Sequence, residues 1–324
     1  MRFWSPVLVG DVGGTHARFA VATAGSHGPA LSHRRDIEGE YADVTGLLCA
    51  YMKDSGLEGI PTHALIAVAG PVTAGVVTLT NRHLRISETD LEAFGFARTA
   101  LINDFGALAY AADILGAEDL SDIGPALEGV PDAPISIVGA GTGFGVSCLV
   151  RHGGRALPMT TEGGHIGFAP TDDQQMALLS SLQCRFGRVS VERLLSGPGI
   201  ESIHRAMEAF KGAAETGMSA EQITAGALAG EATCKATLSL FCKVYGAIAG
   251  DIALAHGARG GVLIGGGIAL KIEPFLQASP FRQEFDNKGR LAPYVKAIPT
   301  RLIVNADATL LGAARAALEL WYRD

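Results

Sequence analysis

The sequence predicts an α/β protein of two domains, each built on a largely parallel sheet that opens with a strand–turn–strand unit. Three observations carry this. The length, 324 residues, suits about two domains. Apolar runs rich in β-branched residues alternate with runs of helical period, the grammar of βα units. And one unit, strand then glycine turn then strand, occurs twice: "VLVGDVGGTHARFAVA" from Val7 and "APISIVGAGTGFGVSCLV" from Ala133. The repeat is domain-sized, too long for a solenoid.

Composition sets the class. At 48% hydrophobic and 18% charged the chain can bury an ample core. Its 42 glycines are nearly twice the usual share (~7%) and follow no collagen period, so they mark turns, tight packing and close backbone approach. The net charge of −7, without a basic cluster or zinc-finger spacing, argues against a nucleic-acid partner. Cys49, Cys148, Cys184, Cys234 and Cys242 are scattered with no C-x-x-C, as expected of reduced thiols in a cytoplasmic protein. The apolar N-terminal run is too short for a signal peptide. The uncharged stretches 64–80 and 134–150 are broken by glycine, and read as strand–turn–strand with no membrane role.

The elements follow in order. After the opening hairpin, 41–56 has helical spacing. "HALIAVAG" is a strand ending at Gly70-Pro71, with "GVVTLTN" as its expected hairpin partner. "SETDLEAFGF" is a short helix with Ser87 as N-cap. "TALIND" is a strand and "FGALAYAADIL" the helix after it, and 116–133 is a polar link. Beyond the second glycine turn come helices in "QQMALLSSLQCRFG" and "VSVERLL", a turn at "SGPG", and a helix in "IESIHRAMEAF". A long helix over 236–256 meets the strand "GVLIGGGIA", and "RLIVNADATLLGAARAALEL" is a closing strand, loop and helix.

The opening turn raises the chemistry. Gly10, Asp11, Val12, Gly13, Gly14 and Thr15 combine exposed backbone N–H groups, a hydroxyl and an acid. Glycine N–H groups suit phosphate oxygens, and an acid belongs beside phosphate only with a cation between them. The alternative is an ordinary hairpin with Asp and Gly as turn formers. The second turn, Gly139, Ala140, Gly141, Thr142 and Gly143, offers the same donors. Gly265, Gly266 and Gly267 could face a flat ring or serve close helix–strand packing. The opening turn is neither a P-loop nor G-x-G-x-x-G.

The acids come next. Asn103 and Asp104 fall where a strand ends and a helix begins, the edge at which α/β sheets gather ligands. Asp104 could accept a proton from a hydroxyl attacking a γ-phosphate, and Asn103 could bind a neighbouring hydroxyl. Either could instead cap the helix. Glu162 and His165, separated by two glycines, could reach one pocket from a turn or lie on the surface. Glu192 stands in a first helical turn, where the dipole favours an acid in any case. A pocket of Asn, Asp, Glu, His and Glu has no anion clamp and suits a neutral polyol.

Taken together and in this order, "GDVGGT", "INDF", "GAGTGFG", "EGGH", "SxERLLSGPG" and "GGVLIGGGI" resemble the bacterial ATP-dependent glucokinases, in the sugar kinase/actin/Hsp70 ATPase superfamily. The resemblance runs from Val7 to the final "LLGAARAALE". It implies two actin-like (ribonuclease H-like) α/β domains with the active site in the cleft between them. Residues 1–114, completed by 304–324, would form the small domain, and 115–303 the large. It implies that 10–15 and 139–143 bind ATP phosphates, that Asp11 lies near Mg²⁺ through water, and that 265–267 lie by the adenosine. Asp104 would be the general base, with Asn103, Asp104, Glu162, His165 and Glu192 holding D-glucose for transfer to its 6-hydroxyl. A homodimer is carried over likewise. ROK kinases and repressors, a neighbouring group, have a Cys-rich zinc motif near their "EGGH"-like segment. Here Cys184 stands alone, so no structural zinc is expected, and ten residues before Asp11 leave no room for the repressors' helix-turn-helix. Two other readings remain: a non-catalytic actin-like sensor, which intact Asp104 and first turn disfavour, and a kinase of fructose, mannose or an N-acetylhexosamine.

Overall fold

The computed structural model describes residues 5–14, 16–26, 28–79 and 84–322. Its strands are β1 (Val7–Val12), β2 (Ala17–Ala24), β3 (Pro29–Ile37), β4 (His63–Val68), β5 (Val76–Leu79), β6 (Leu84–Ser87), β7 (Arg98–Asn103), β8 (Leu120–Asp122), β9 (Ile135–Ala140), β10 (Phe144–His152), β11 (Arg155–Thr161), β12 (Gly261–Gly265) and β13 (Thr300–Ile303). The helices are α1 (Val44–Ser55), α2 (Glu88–Phe94), α3 (Asp104–Ala111), α4 (Asp173–Phe186), α5 (Gly197–Phe210), α6 (Ala220–Leu228), α7 (Ala232–His256), α8 (Gly267–Lys271), α9 (Glu273–Ala278), α10 (Phe281–Asp286), α11 (Ala292–Lys296) and α12 (Ala308–Trp321). The chain forms two compact units. One comprises Met1–Asp119, Leu149–Thr160 and Asn305–Asp324, the other Leu120–Cys148 and Thr161–Val304.

In the first unit the sheet order is β3-β2-β1-β4-β7. β1 and β2 pair antiparallel, as do β2 and β3, while β1, β4 and β7 run parallel. The core is the apolar face of this sheet closed by α1 and α2: Leu8, Phe19, Leu47, Leu48, Tyr51, Ile66 and Leu91 are all fully buried. Local chemistry sets the helix ends. Asp43 caps α1 by accepting from the Gly46 amide, and Gly56 ends it at φ 69°, where a Cβ would be strained. Ser87 caps α2 through the Asp90 amide, as its sequence position predicts. α3 packs on α12 so closely that a Cβ on Gly312 would stand 1.9 Å from the Ala107 carbonyl oxygen. Asp113 accepts from Arg151 and Arg315, and Glu319 from Arg155 and Arg315, fastening segment 149–160 to α3 and α12.

The six-stranded sheet has the order β11-β10-β9-β12-β13-β8, and its strands β9, β12, β13 and β8 lie in the second unit, with β9, β12 and β13 parallel and β8 antiparallel to β13. Apart from the added edge strand β8, its order repeats the first: third strand, second, first, then two parallel crossovers. α7 lies at its centre. This is the one described helix long and apolar enough to cross a membrane, yet 72% of its apolar window is buried inside the protein, as in a core helix. Tyr245 of α7 is enclosed by Phe144, Phe241 and Phe281, with ring centroids 5.4–5.9 Å away.

Several local expectations are corrected. β5 pairs with β6 in a separate two-stranded sheet, not with β4, whose two neighbours in the parallel sheet leave it no free edge. The polar link 116–133 contains β8, paired to β13. In "VSVERLL" only a short 3-10 turn forms, Val191–Arg193, and "SGPG" is the start of α5, with Ser196 as N-cap and proline in the first turn, where its missing N–H costs nothing. In "GVLIGGGIA" the strand stops at Gly265 and α8 begins at Gly267.

Candidate active site

The first unit brings together the opening turn and the acids at the end of β7. Parallel pairing sets Asp11 level with Ala67 of β4, which is in turn level with Ile102 of β7. Asp11, in β1, and Asp104, directly after β7, are therefore at the same edge of one sheet, on either side of β4. Across the β1–β2 ladder Asp11 faces Arg18, whose Nη2 donates to Asp11 Oδ2 at 2.5 Å while Nη1 donates to the Ala306 carbonyl at 2.6 Å. Burial pushes the Asp11 carboxyl above its usual range, and the Arg18 charge and hydrogen bond pull it back only in part. Arg18 escaped the sequence reading, and the signal was there: in a two-residue-period hairpin, Asp11 and Arg18 are cross-strand partners.

Asp104 is the first residue of α3. Its carboxyl is raised to about 7, first by burial and then by the Asp11 charge, against hydrogen bonds from the Phe105 amide, its own amide and Asn103. Two half-buried, desolvated carboxylates that repel each other are the arrangement that places a proton acceptor near neutrality. Asn103 caps α3: its Oδ1 accepts from the amides of Phe105 (2.9 Å) and Gly106 (3.2 Å), and its Nδ2 donates to the Gly70 carbonyl (3.1 Å). The capping and site readings are thus compatible, because capping fixes the amide at the strand end. The turn itself is closed by a bond from the Gly13 amide to the His16 carbonyl, 2.9 Å. Gly10 faces the core, since a Cβ there would stand 2.8 Å from both Ile66 Cδ1 and the Phe19 ring, and Val12 is fully buried. Gly13 and Gly14 are half-buried at the tip, and Thr15 lies outside the described residues.

The second unit gathers the rest. Gly139 and Ala140 are buried in β9, and Gly139 is level with Gly265 of β12. Gly266, at φ 84°, lies against that strand: a Cβ would be 2.4 Å from the Ala140 carbonyl oxygen. The outward part of the turn is Gly141, Thr142 and Gly143, and a Cβ on Gly141 or on Gly267 would meet nothing within 4 Å. Glu192 reaches this turn, where its Oε2 accepts from the Phe144 amide at 2.9 Å. Glu162 precedes and His165 ends a 3-10 turn whose Gly164 is pressed on β10, its would-be Cβ 2.1 Å from the Phe144 carbonyl oxygen. The segment is laced to the one carrying Glu192 by bonds from Phe168 N to Val189 O and from Val191 N to Ile166 O, each 3.0 Å. His165 Nε2 and Glu162 Oε2 are 4.0 Å apart with side chains 58% and 70% exposed, open to a ligand. Arg188, also missed in the sequence, donates to the His165 carbonyl at 2.8 Å.

For a metal the chain offers no cage: among the described residues no three His, Cys, Asp or Glu side chains converge on one point. One half-buried carboxylate, Asp11, fits a Mg²⁺ that arrives with phosphate oxygens and keeps most of its waters.

Comparison with known proteins bears on this geometry. The family model described as Glucokinase matches residues 8–320. A glucokinase from Caulobacter sp. (strain K31) is 46% identical over 309 residues, covering 95% of this chain and 93% of the relative. The crystal structure of a glucokinase from an Antarctic psychrotroph superposes with a TM-score of 0.86 at 37% identity, covering 97% of this chain and 98% of that one. A ROK family glucokinase from Streptomyces griseus, solved with glucose and AMPPNP, shares the fold at a TM-score of 0.65 and 17% identity, covering 96% of this chain and 98% of that one.

Proposed function

The chain belongs to the glucokinase family and is an ATP-dependent hexose kinase, and from that premise we propose which of its residues do the work. The observation that carries the reading is the pair at the strand ends of the first sheet: Asp104, its carboxyl raised to about 7, beside Asp11. The substrate is D-glucose, the acceptor its 6-hydroxyl, and the products are glucose 6-phosphate, fit to feed glycolysis, and ADP. Asp104 accepts the proton of that hydroxyl as the oxygen bonds to the γ-phosphorus and the bond to the β-phosphate oxygen breaks. Since phosphoryl transfer has a loose transition state, the base acts late and chiefly orients the hydroxyl.

Asn103, Glu162, His165 and Glu192 take the other sugar hydroxyls, with the Asn103 amide held by its cap. The outward residues of the two turns, Gly13, Gly14 and Thr15 in one and Gly141, Thr142 and Gly143 in the other, give N–H groups to ATP phosphates. Gly10, Val12, Gly139 and Ala140 support them from behind, and Gly265, Gly266 and Gly267 lie by the adenosine. Mg²⁺ would be held by Asp11 through water, and when bound it neutralises charge on the phosphates. The AMPPNP complex of the Streptomyces griseus protein supports ATP as the donor. A cytoplasmic homodimer, with the two units as small and large domains, completes the proposal.

The test is a coupled ADP-release assay over glucose, mannose, fructose and N-acetylhexosamines. Glucose should give the highest kcat/KM, and a higher value for any other sugar would overturn the assignment. Light scattering of the eluted protein at twice the chain mass, 33.6 kDa each, checks the dimer.

A further inference from the structure

Glu192 does something that its place in a sugar pocket does not require. Its Oε2 is bonded to the Phe144 amide, the first N–H after the second glycine turn, at 2.9 Å. A Cβ on Gly143 would stand 2.5 Å from the same oxygen, so the carboxylate lies directly against the turn. The backbone around Glu192 is tied to the turn as well. Its carbonyl accepts from Ser196 Oγ at 2.8 Å, and the Gly197 amide donates to the Gly141 carbonyl at 2.9 Å. For Oε1, no protein partner is seen among the described residues.

We propose that Glu192 serves both substrates: Oε2 holds the turn 141–143 in its phosphate-binding shape through the Phe144 N–H, and Oε1 accepts a sugar hydroxyl. This rests on the reading of that turn as a phosphate site. Glycine makes the turn pliable, so without an anchor the N–H donors aim less well. A carboxylate acceptor also strengthens the amide bond over a neutral one. Glu192 is thus a positioning residue for the nucleotide and a ligand of the sugar, and one side chain links the two sites.

The experiment is calorimetric titration of the full chain with AMPPNP and Mg²⁺ in the absence of sugar, then with glucose alone. For Glu192→Ala, AMPPNP affinity should fall about ten-fold, the factor expected when a buried N–H loses its acceptor. Glu192→Gln keeps an oxygen for the Phe144 amide, so AMPPNP affinity should stay within about two-fold of wild type while glucose affinity still drops, because the remaining group is a donor. Glu192→Asp, too short to reach, should behave as Ala and carries the test if the Ala variant does not fold. Gly141→Ala is the control for the underlying reading. Its Cβ points into open space, so it should fold normally and weaken AMPPNP by obstructing phosphate approach. Weakening by Gly141→Ala with unchanged AMPPNP affinity in Glu192→Ala and Glu192→Asp would overturn the inference alone. Unchanged affinity in Gly141→Ala would overturn the phosphate reading of the turn.

Discussion

The two glycine turns are built on the same plan and equipped differently. With the edge strand β8 set aside, each follows the first strand of a sheet ordered third, second, first, fourth, fifth, and each has a glycine level with the neighbouring parallel strand, Gly10 with Ile66 and Gly139 with Gly265. One residue on, the first turn has Asp11, gripped by Arg18, while the second has Ala140, its carbonyl pressed by Gly266. The first sheet thus concentrates carboxylates that repel each other, Asp11 and Asp104. The second presents backbone donors, and its acid, Glu192, arrives from another element as an acceptor for the turn. On one duplicated topology, single side chains make the difference: carboxylates on one sheet edge, exposed backbone donors on the other.

Steric tests should break the packing around the second turn more easily than that around the first. Gly164 and Gly266 abut backbone carbonyls, 2.1 Å and 2.4 Å from a would-be Cβ, and Gly266 has φ 84° besides. Alanine at either should lower unfolding free energy by about 3 kcal/mol or more, read from urea denaturation. Gly10 abuts only side chains, Ile66 and Phe19, which can yield, so Gly10→Ala should lose about 1–3 kcal/mol. Equal losses would mean that the turns are equally pliable.

Arg18→Ala comes next. It leaves the half-buried Asp11 charge unpaired and should destabilise by about 2 kcal/mol, below the range for a fully buried pair because both side chains are partly exposed. Adding Asp11→Asn should restore much of it, and a double variant no better than the single would show that packing, not charge, was lost.

The first sheet's acids should also be a stability liability. Asp104 is raised from 3.8 to about 7, so the folded protein binds more protons than the unfolded chain between those values, and stability falls as pH rises through that window. Asp104→Asn removes the liability. Its melting temperature without ligand should exceed wild type at pH 8, with the gap closing toward pH 4, and no gap at pH 8 would contradict the raised pKa.

The smallest stability effects belong to Glu162→Ala and His165→Ala. Both side chains are exposed, so stability should stay within about 0.5 kcal/mol. Glucose KM should nonetheless rise about ten-fold through unpaired sugar hydroxyls, with ATP KM unchanged. A rise in ATP KM instead would remove either residue from the sugar pocket.

Much of this was legible in sequence because short-range rules apply. Short apolar runs rich in β-branched residues mark β1, β4, β7 and β9, Ser87 announces its helix, and Asn103-Asp104 falls at a strand–helix junction. What was hidden depends on contacts distant along the chain. β8 is three residues long and exists only because β13 is beside it. Proximity in sequence suggests β5 as the partner of β4, while the parallel neighbours of β4 come from 7–12 and 98–103. Glu192 meets the Phe144 amide across 48 positions, beyond any local pattern. The Asp11–Arg18 pair was within reach of hairpin register, but needed the turn length to be known first.

The central claim is that Asp104 takes the proton. Its direct test is kcat of Asp104→Asn at saturating glucose and Mg²⁺·ATP, read by ADP release across pH 5–9. The amide keeps the shape and one acceptor but cannot accept a proton. The expected result is a loss of about 10²–10⁴-fold, with glucose still bound. The wild-type rate should rise with pH through the Asp104 titration, at about 7 or lower when a bound cation offsets the Asp11 charge, and the variant should lack that rise. A variant that keeps more than about a tenth of wild-type kcat, or that shows the same acidic limb, would contradict the claim and turn attention to Glu162.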